Sequence, residues 1–291
     1  MAKSDTALPW RDLPLALRSI PDPPRRLFCR GDPDALNGPA VAVVGSRRCT
    51  RQGRELAFAL ARDLVAQGLS VVSGLAYGID AAAHRGALAA REDGLTDAAS
   101  RPPTVAVLGS GLDNIYPRAH ARLAAAIIDA GGAVVTEHEH DEGPRKQHFP
   151  ARNRIVSGLC LGVVIVEASD RSGSLITARL ALEQGRDVMA VPSLVSSPLS
   201  AGCHRLIRQG AALVENAEHV LEALELEWAE PSSATTEPTD PVFAAVGATV
   251  TTVDAIIAGT GLSVEAVLER LVELEIGGHV VEHAGGYMRC P

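Results

Sequence analysis

Short apolar runs that end in glycine and a polar group recur along the chain. Val41–Ala42–Val43–Val44 leads directly into Gly45–Ser46–Arg47. An unbroken run of this kind predicts a strand buried on both faces, as in a parallel sheet. Gly45 lets the backbone turn sharply at its carboxyl end. Residues 51–67 then show helical spacing, with Leu56, Ala59, Leu60 and Leu64 near one stripe, and Ser70–Val71–Val72–Ser73–Gly74 repeats the strand and its glycine. Further strands are expected over 104–108, 133–136, 162–167, 187–191 and 211–214. Helices are expected between them over 81–90, 119–130, 155–161, 175–184, 202–209 and 217–224. This alternation predicts an α/β fold: an extended Rossmann-like, doubly wound, mainly parallel sheet covered by helices on both faces. Ligands of such sheets sit at the carboxyl ends of the strands.

The pattern weakens at both ends of the chain. Pro21, Pro23 and Pro24 interrupt residues 1–40, which read as an extended arm lying on the main domain, 41–226. Residues 227–240, rich in Ser, Thr, Pro and acids, read as a linker. Over 241–291, two amphipathic helices, 253–258 and 264–274, precede a hairpin at 279–288 with a Gly-Gly turn. Helix, turn, helix, hairpin is a winged-helix layout.

Composition narrows the class. Of 291 residues 46% are hydrophobic, so the chain is globular, and no apolar run approaches the roughly 20 residues that span a bilayer. Residues 1–10 hold no apolar signal-peptide core, and the expected location is the cytoplasm. The five cysteines are scattered without a CxxC pair, which indicates neither a disulfide framework nor a zinc site. A net charge of −8 argues against a uniformly basic nucleic-acid binder and leaves room for a local basic cleft.

Candidate chemistry lies at the strand ends. Arg47, Arg48, Arg51 and Arg54 follow the first strand with no acid before Glu55, which suits an anion. Asp80 is placed to cap the helix after the second strand, and His84 is expected to make a structural hydrogen bond. Gly109–Ser110–Gly111 followed by Asn114 is only part of a dinucleotide fingerprint. His138–Glu139–His140–Asp141–Glu142 reads as a solvated acidic loop, without the spacing that would fix a metal geometry. From Arg145 to Arg154 come four cations, no acid and Phe149, the combination that single-stranded nucleic acid requires: cations for the backbone and an aromatic for a base. Gly158–Leu159–Cys160–Leu161–Gly162 precedes a strand, the reverse of a nucleophile elbow. Ser172, Gly173, Ser174 and Thr177 open a helix where backbone N–H groups and hydroxyls can hold phosphate, and no GxxxxGK[ST] pattern for ATP is present.

These motifs together resemble the DprA/Smf family of DNA-processing proteins. VAVVGSR (41–47), SGLAYGIDAAAH (73–84), VAVLGSGLDNIYP (105–117), FPARNRIVSGL (149–159), the stretch from Val164 to Pro192 and LIRQGAALV (206–214) carry the resemblance. Two positions depart from the family pattern: Ser193, where a glycine is usual after the proline, and His204, near which an asparagine is usual. The resemblance implies a homodimeric, non-enzymatic protein of natural transformation. Such a protein binds single-stranded DNA, shields incoming strands and loads the RecA recombinase, with no cofactor, no metal and no membrane. The expected DNA-contacting residues are Gly45, Ser46, Arg47, Arg48, Gly74, Lys146, Phe149, Arg152, Asn153, Arg154, Ser172, Gly173, Ser174 and Thr177. Arg47, Lys146, Arg152 and Arg154 are expected to share one basic pocket. The enzymatic alternative is a nucleotide phosphoribohydrolase on a similar fold, but its PGGxGTxxE signature would need an acid where this chain has Thr177.

Overall fold

The structure, a computed structural model, describes residues 5–96, 101–227, 240–247, 250–276, 279–283 and 285–289. Most of the predicted linker, Ala284 of the predicted turn and Cys290 lie outside the described residues. The chain divides into two compact units, Met1–Pro231 and Ser232–Pro291.

The first unit is built on one nine-stranded sheet. Its strands are β1 (Thr6–Pro9), β2 (Arg26–Gly31), β3 (Ala40–Val44), β4 (Ser70–Ser73), β5 (Thr104–Val107), β6 (Ala133–Thr136), β7 (Gly162–Ile165), β8 (Asp187–Ala190) and β9 (Ala212–Leu213). Their order is β1-β2-β6-β5-β4-β3-β7-β8-β9. The pairs from β6 through β3 to β9 are parallel, and β1–β2 and β2–β6 are antiparallel. The helices are α1 (Leu15–Arg18), α2 (Arg51–Ala66), α3 (Ile79–Glu92), α4 (Ala121–Asp129), α5 (His148–Gly158), α6 (Ser174–Glu183), α7 (Ala201–Arg208) and α8 (Ala217–Ala223).

Burial on both faces explains the unbroken apolar runs. Val41 and Val43 of β3 pack into one core with Leu60 and Leu64 of α2 and Ala83 of α3. Ala42 and Val44 pack into the opposite core with Ile155, Ala178 and Cys203 from α5, α6 and α7. Each fully buried leucine or isoleucine here contributes roughly 1.5–3 kcal/mol. Residues 1–40, expected as an extended arm, supply β1 and β2. The signal for β2 is a short run, Leu27–Phe28–Cys29, buried against β6 but flanked by charges. Three apolar residues among prolines and arginines are too few to show a period.

His84 is fully buried in α3, and its Nδ1 lies 2.7 Å from the Thr104 hydroxyl. That hydroxyl donates to the Val71 carbonyl at 2.6 Å, so it accepts from His84 and the proton sits on Nδ1. The other nitrogen, Nε2, is buried without a partner among the described residues, and burial pulls the ring's pKa down to about 3. The folded chain therefore refuses a proton that the unfolded chain takes up near pH 6.5, and stability rises with pH wherever the unfolded state binds more protons. Stability should be full above pH ~6.5 and fall as the pH drops from there toward 3. Urea unfolding of the native chain and of His84→Gln at pH 5 and pH 7.5 checks this: the variant should lose much of the difference.

In the second unit α9 (Pro241–Ala245), α10 (Val253–Thr260) and α11 (Val264–Ile276) pack against the hairpin β10 (Val280–His283) and β11 (Gly286–Arg289). Phe243, Ile256, Val267, Leu271 and Val280 form its core. Asp240 caps α9 by accepting from Val242 N–H at 2.7 Å and Phe243 N–H at 3.1 Å, and Thr252 caps α10.

Candidate nucleic-acid interface

Strand order reverses between β3 and β7, which leaves a crevice at their carboxyl ends. A cleft of about 730 Å³ opens there. The end of β3 supplies Gly45, Ser46, Arg47 and Arg48, and the end of β4 supplies Gly74. Lys146 precedes α5, whose first turns bring Phe149, Arg152 and Asn153. The turn into α6 adds Ser172, Gly173, Ser174 and Thr177.

Arg154 is the exception among the candidates and does not line the cleft. The basic segment is helical from His148 onward. Residues two apart on a helix point to nearly opposite sides. Arg152 therefore faces the cleft, while Arg154 turns away and makes a bidentate pair with Glu137 at 2.7 Å and a pair with Asp22 at 2.9 Å. The expected four-cation pocket is a cluster of Arg47, Lys146 and Arg152, with Arg48 beside them.

The end of β3 is held by backbone contacts. Ser46 N–H donates to the Glu167 carbonyl at 2.7 Å, and Ile79 N–H donates to the Ser46 carbonyl at 3.2 Å. Gly78, with φ +78°, brings its backbone against the Ser46 and Arg47 carbonyls, where a Cβ would overlap them. The Glu167 carboxylate is buried and accepts from the Thr50 hydroxyl at 2.6 Å and the Thr50 N–H at 2.9 Å. Thr50 in turn caps α2 through Gly53 N–H. Glu167 thus anchors the loop that carries Arg47 and Arg48. Its position at a strand end gave no hint of this.

Asp80 is not the cap expected from the sequence. It lies inside the first turn of α3, behind Gly78, and reaches back to accept from Gly74 N–H at 3.1 Å and Ala76 N–H at 3.3 Å. Its carboxylate is 3.9 Å from Arg152 Nη2, and both side chains are buried. Burial pushes the Asp80 carboxyl upward, and it pulls Arg152 down to about 10, still charged at neutral pH. Arg152 also donates to the Val107 carbonyl. Its guanidinium passes so close to Gly74 that a methyl there would overlap it. Asp80 neutralises Arg152, whereas Arg47, Arg48 and Lys146 are exposed and make no ion pair among the described residues. The cleft therefore carries a cationic surplus.

Phe149 is half-buried, not the open platform its basic flanks suggest. The Arg47 guanidinium lies 5.2 Å from the ring centroid on one side. Tyr116 approaches at 5.5 Å, tilted 48°, and stays 44% exposed. Tyr116 comes from the loop after β5, more than thirty residues away, so no local pattern could link it to Phe149.

Ser172 and Ser174 share a hydroxyl contact of 2.7 Å, and Ser174 and Thr177 are buried in the wall. Gly173 has open space around it: among the described residues no atom stands within 4 Å of where its Cβ would be. The two departures from the family pattern meet each other, with His204 Nε2 3.0 Å from the Ser193 carbonyl. Cys29 and Cys203 are buried, and burial pushes their thiols up to about 12 and about 11 respectively. Cys160 is buried as well and shifts the same way. None of these thiols suits nucleophilic work. The cleft is equipped to hold an anion with an aromatic group beside it.

Comparison with known proteins follows the same division. A model described as DNA recombination-mediator protein A matches residues 7–225, and one described as DprA winged helix domain matches residues 227–286. Protein Smf of Escherichia coli (strain K12) is 42% identical over 288 residues, covering 95% of this chain and 74% of that protein. DNA processing protein DprA of Streptococcus pneumoniae is 46% identical over 225 residues, covering 76% and 72%. Its solved structure superposes with a TM-score of 0.68 at 43% identity, over 78% of this chain and 76% of that one. DNA processing protein A of Helicobacter pylori, whose structure is described for a single-stranded DNA binding mode, gives 0.66 at 32% identity, over 76% and 96%.

Proposed function

We propose, for a chain that belongs to the DNA recombination-mediator protein A family, that the β3–β7 cleft binds single-stranded DNA. Arg47, Arg48 and Lys146 meet phosphates, the Ser172–Thr177 turn holds one phosphate through N–H and hydroxyl donors, and Tyr116 with Phe149 stacks a base. The observation that carries this reading is the group of Arg47, Arg48 and Lys146, without an ion pair among the described residues, beside two aromatic rings at the sheet's switch point. Stacking on such a ring is worth roughly 1–3 kcal/mol per base. The protein acts by binding, without covalent chemistry, in the cytoplasm as a homodimer. It shields strands taken up in transformation and passes them to the RecA recombinase.

Fluorescence anisotropy with labelled oligo-dT, repeated with duplex, tests the cleft directly. The single strand should bind more tightly, and Gly173→Val should weaken it while leaving the melting temperature nearly unchanged, because the added side chain points into open space. Native affinity in Gly173→Val would remove the phosphate role of this turn.

The second unit is proposed to contact protein and not DNA. From 241 to 291 it has two arginines against six acids. Arg270 pairs with Asp240 and Glu273, and Arg289 donates to the Val246 carbonyl and lies 4.6 Å from the Phe243 ring. The α11 helix carries Glu265, Glu269, Glu273 and Glu275, which would repel phosphates. A chain ending at residue 227 should keep its oligo-dT affinity; a loss of about tenfold, or ~1.4 kcal/mol, in a folded fragment would place the module on DNA.

A further inference from the structure

Outside the cleft wall, the segment between β6 and α5 folds back so that His138 and Glu142 meet His148, the first residue of α5. We propose that His138, Glu142 and His148 form a site for one divalent transition-metal ion, zinc foremost. His138 Nδ1 stands 3.4 Å from Glu142 Oε2, and His148 Nε2 stands 3.6 Å from Glu142 Oε1. Both separations exceed the ~2.7–3.2 Å of a good N–H···O bond. They end on different oxygens of one carboxylate and are close to the roughly 3.3 Å edge between neighbouring donors around a tetrahedral ion bound at ~2.0–2.2 Å, to which a small turn of the carboxylate would bring one oxygen. One donor atom from each residue lies within 4.8 Å of the other two.

The two imidazoles meet the carboxylate only at long range. Their side chains are only 13% and 10% exposed, and their rings stack with centroids 3.9 Å apart. The nitrogens that face the carboxylate are His138 Nδ1 and His148 Nε2; the far ones, His138 Nε2 and His148 Nδ1, have no partner among the described residues and an ion between the rings would not supply one. Two buried rings that share one carboxylate at long range gain little from the protein alone, and a cation between them would replace those weak contacts with metal–ligand bonds. Two imidazoles and a carboxylate with a fourth position open is a zinc donor set.

The stretch from His138 to Glu142 is fixed at both ends. His138 N–H donates to the Thr136 hydroxyl at 3.1 Å, and the Glu142 carbonyl accepts from Gly111 N–H at 2.8 Å. Arg145 competes for Glu142 Oε1 at 3.7 Å, but its side chain is 63% exposed and free to swing away. A second cluster, Asp5, Asp113 and His140, is different in kind. There the Arg30 guanidinium already bonds both carboxylates, at 2.6 and 2.8 Å, and leaves no vacancy for an ion. An ion at the first cluster would tie residue 138 to residue 148 and brace the stretch that carries Lys146 and leads into Phe149.

Titrating Zn²⁺ alone into the full-length, chelator-treated chain by calorimetry tests the site, with Co²⁺ absorption reporting the geometry. One ion per chain and the intense visible bands of tetrahedral cobalt are expected. Loss of a group that merely supports a ligand costs ~10–100-fold. His138→Phe and Glu142→Gln, which remove ligands on the less buried side, should therefore each weaken binding by at least about tenfold. His140→Ala should leave it unchanged. Melting curves in chelator confirm that each variant is folded. Absence of saturable binding, or binding that survives both His138→Phe and Glu142→Gln, overturns the proposal.

Discussion

Replacing Arg47 and Lys146 together by alanine should lower the affinity for an oligo-dT strand by about 100-fold at low salt. Both side chains are exposed, line the cleft and make no ion pair among the described residues. A hydrogen bond to a charged group is worth ~1.5–3 kcal/mol, and ~1.4 kcal/mol is tenfold, so two lost phosphate contacts give the stated factor. The salt dependence supplies an independent readout. Each phosphate neutralised on a single strand adds about 0.7 to the slope of log affinity against log salt, so the double variant should be flatter by about 1.4. The melting temperature should stay close to native. An unchanged slope would mean that these two cations do not meet the backbone, whatever the loss of affinity.

Arg152→Ala, in contrast, should damage the fold itself. Its removal strands the Asp80 carboxylate in a site from which water is excluded. Breaking a buried pair by deleting one partner costs ~3–5 kcal/mol. At about 2–4 °C per kcal/mol for a unit of this size, the midpoint should fall by roughly 6–20 °C. The backbone consequences run through Gly74 and Ala76, whose N–H groups Asp80 holds. Adding Asp80→Asn to the Arg152→Ala chain should recover part of the loss, because the orphaned charge is gone. Calorimetry on the three chains decides it; a native midpoint in Arg152→Ala would show that the pair contributes nothing. Weak DNA binding by Arg152→Ala is then no measure of a direct contact until its folded fraction is known.

The doubly wound sheet was legible because its central strands are buried on both faces and so read as unbroken apolar runs between helical stripes. The level of the cleft, at the carboxyl ends of the strands, was legible too, whereas its place between β3 and β7 depends on a strand order that no local pattern encodes. What escaped has identifiable causes. Pro150 looks like a break, yet proline is tolerated in the first turn of a helix, and α5 begins two residues before it. Missing that start hid the opposite directions of Arg152 and Arg154. Tyr116 and Glu167 join the neighbourhood through tertiary contacts alone. His148 likewise completes a three-residue cluster whose other members looked, along the chain, like a solvated acidic loop.

The placement of β2 between β1 and β6 bears on how the sheet avoids adding strands from other chains. Without residues 1–39, the β6 segment Ala133–Val134–Val135–Thr136 would be a bare edge, apolar on both sides, with a row of unpaired backbone donors and acceptors. Such an edge is a template for another chain's strand. The amino-terminal segment stops that row with a strand ending at Pro9, a residue that cannot donate to a further partner. It also covers α5, where Leu17 and Ile20 lie over Gly158, and Arg186 donates to the Ala16 carbonyl at 2.9 Å. A fragment trimmed to the conspicuous repeats of strand and glycine would keep every cleft residue and be prone to self-association, so the unremarkable first forty residues act as the guard against aggregation.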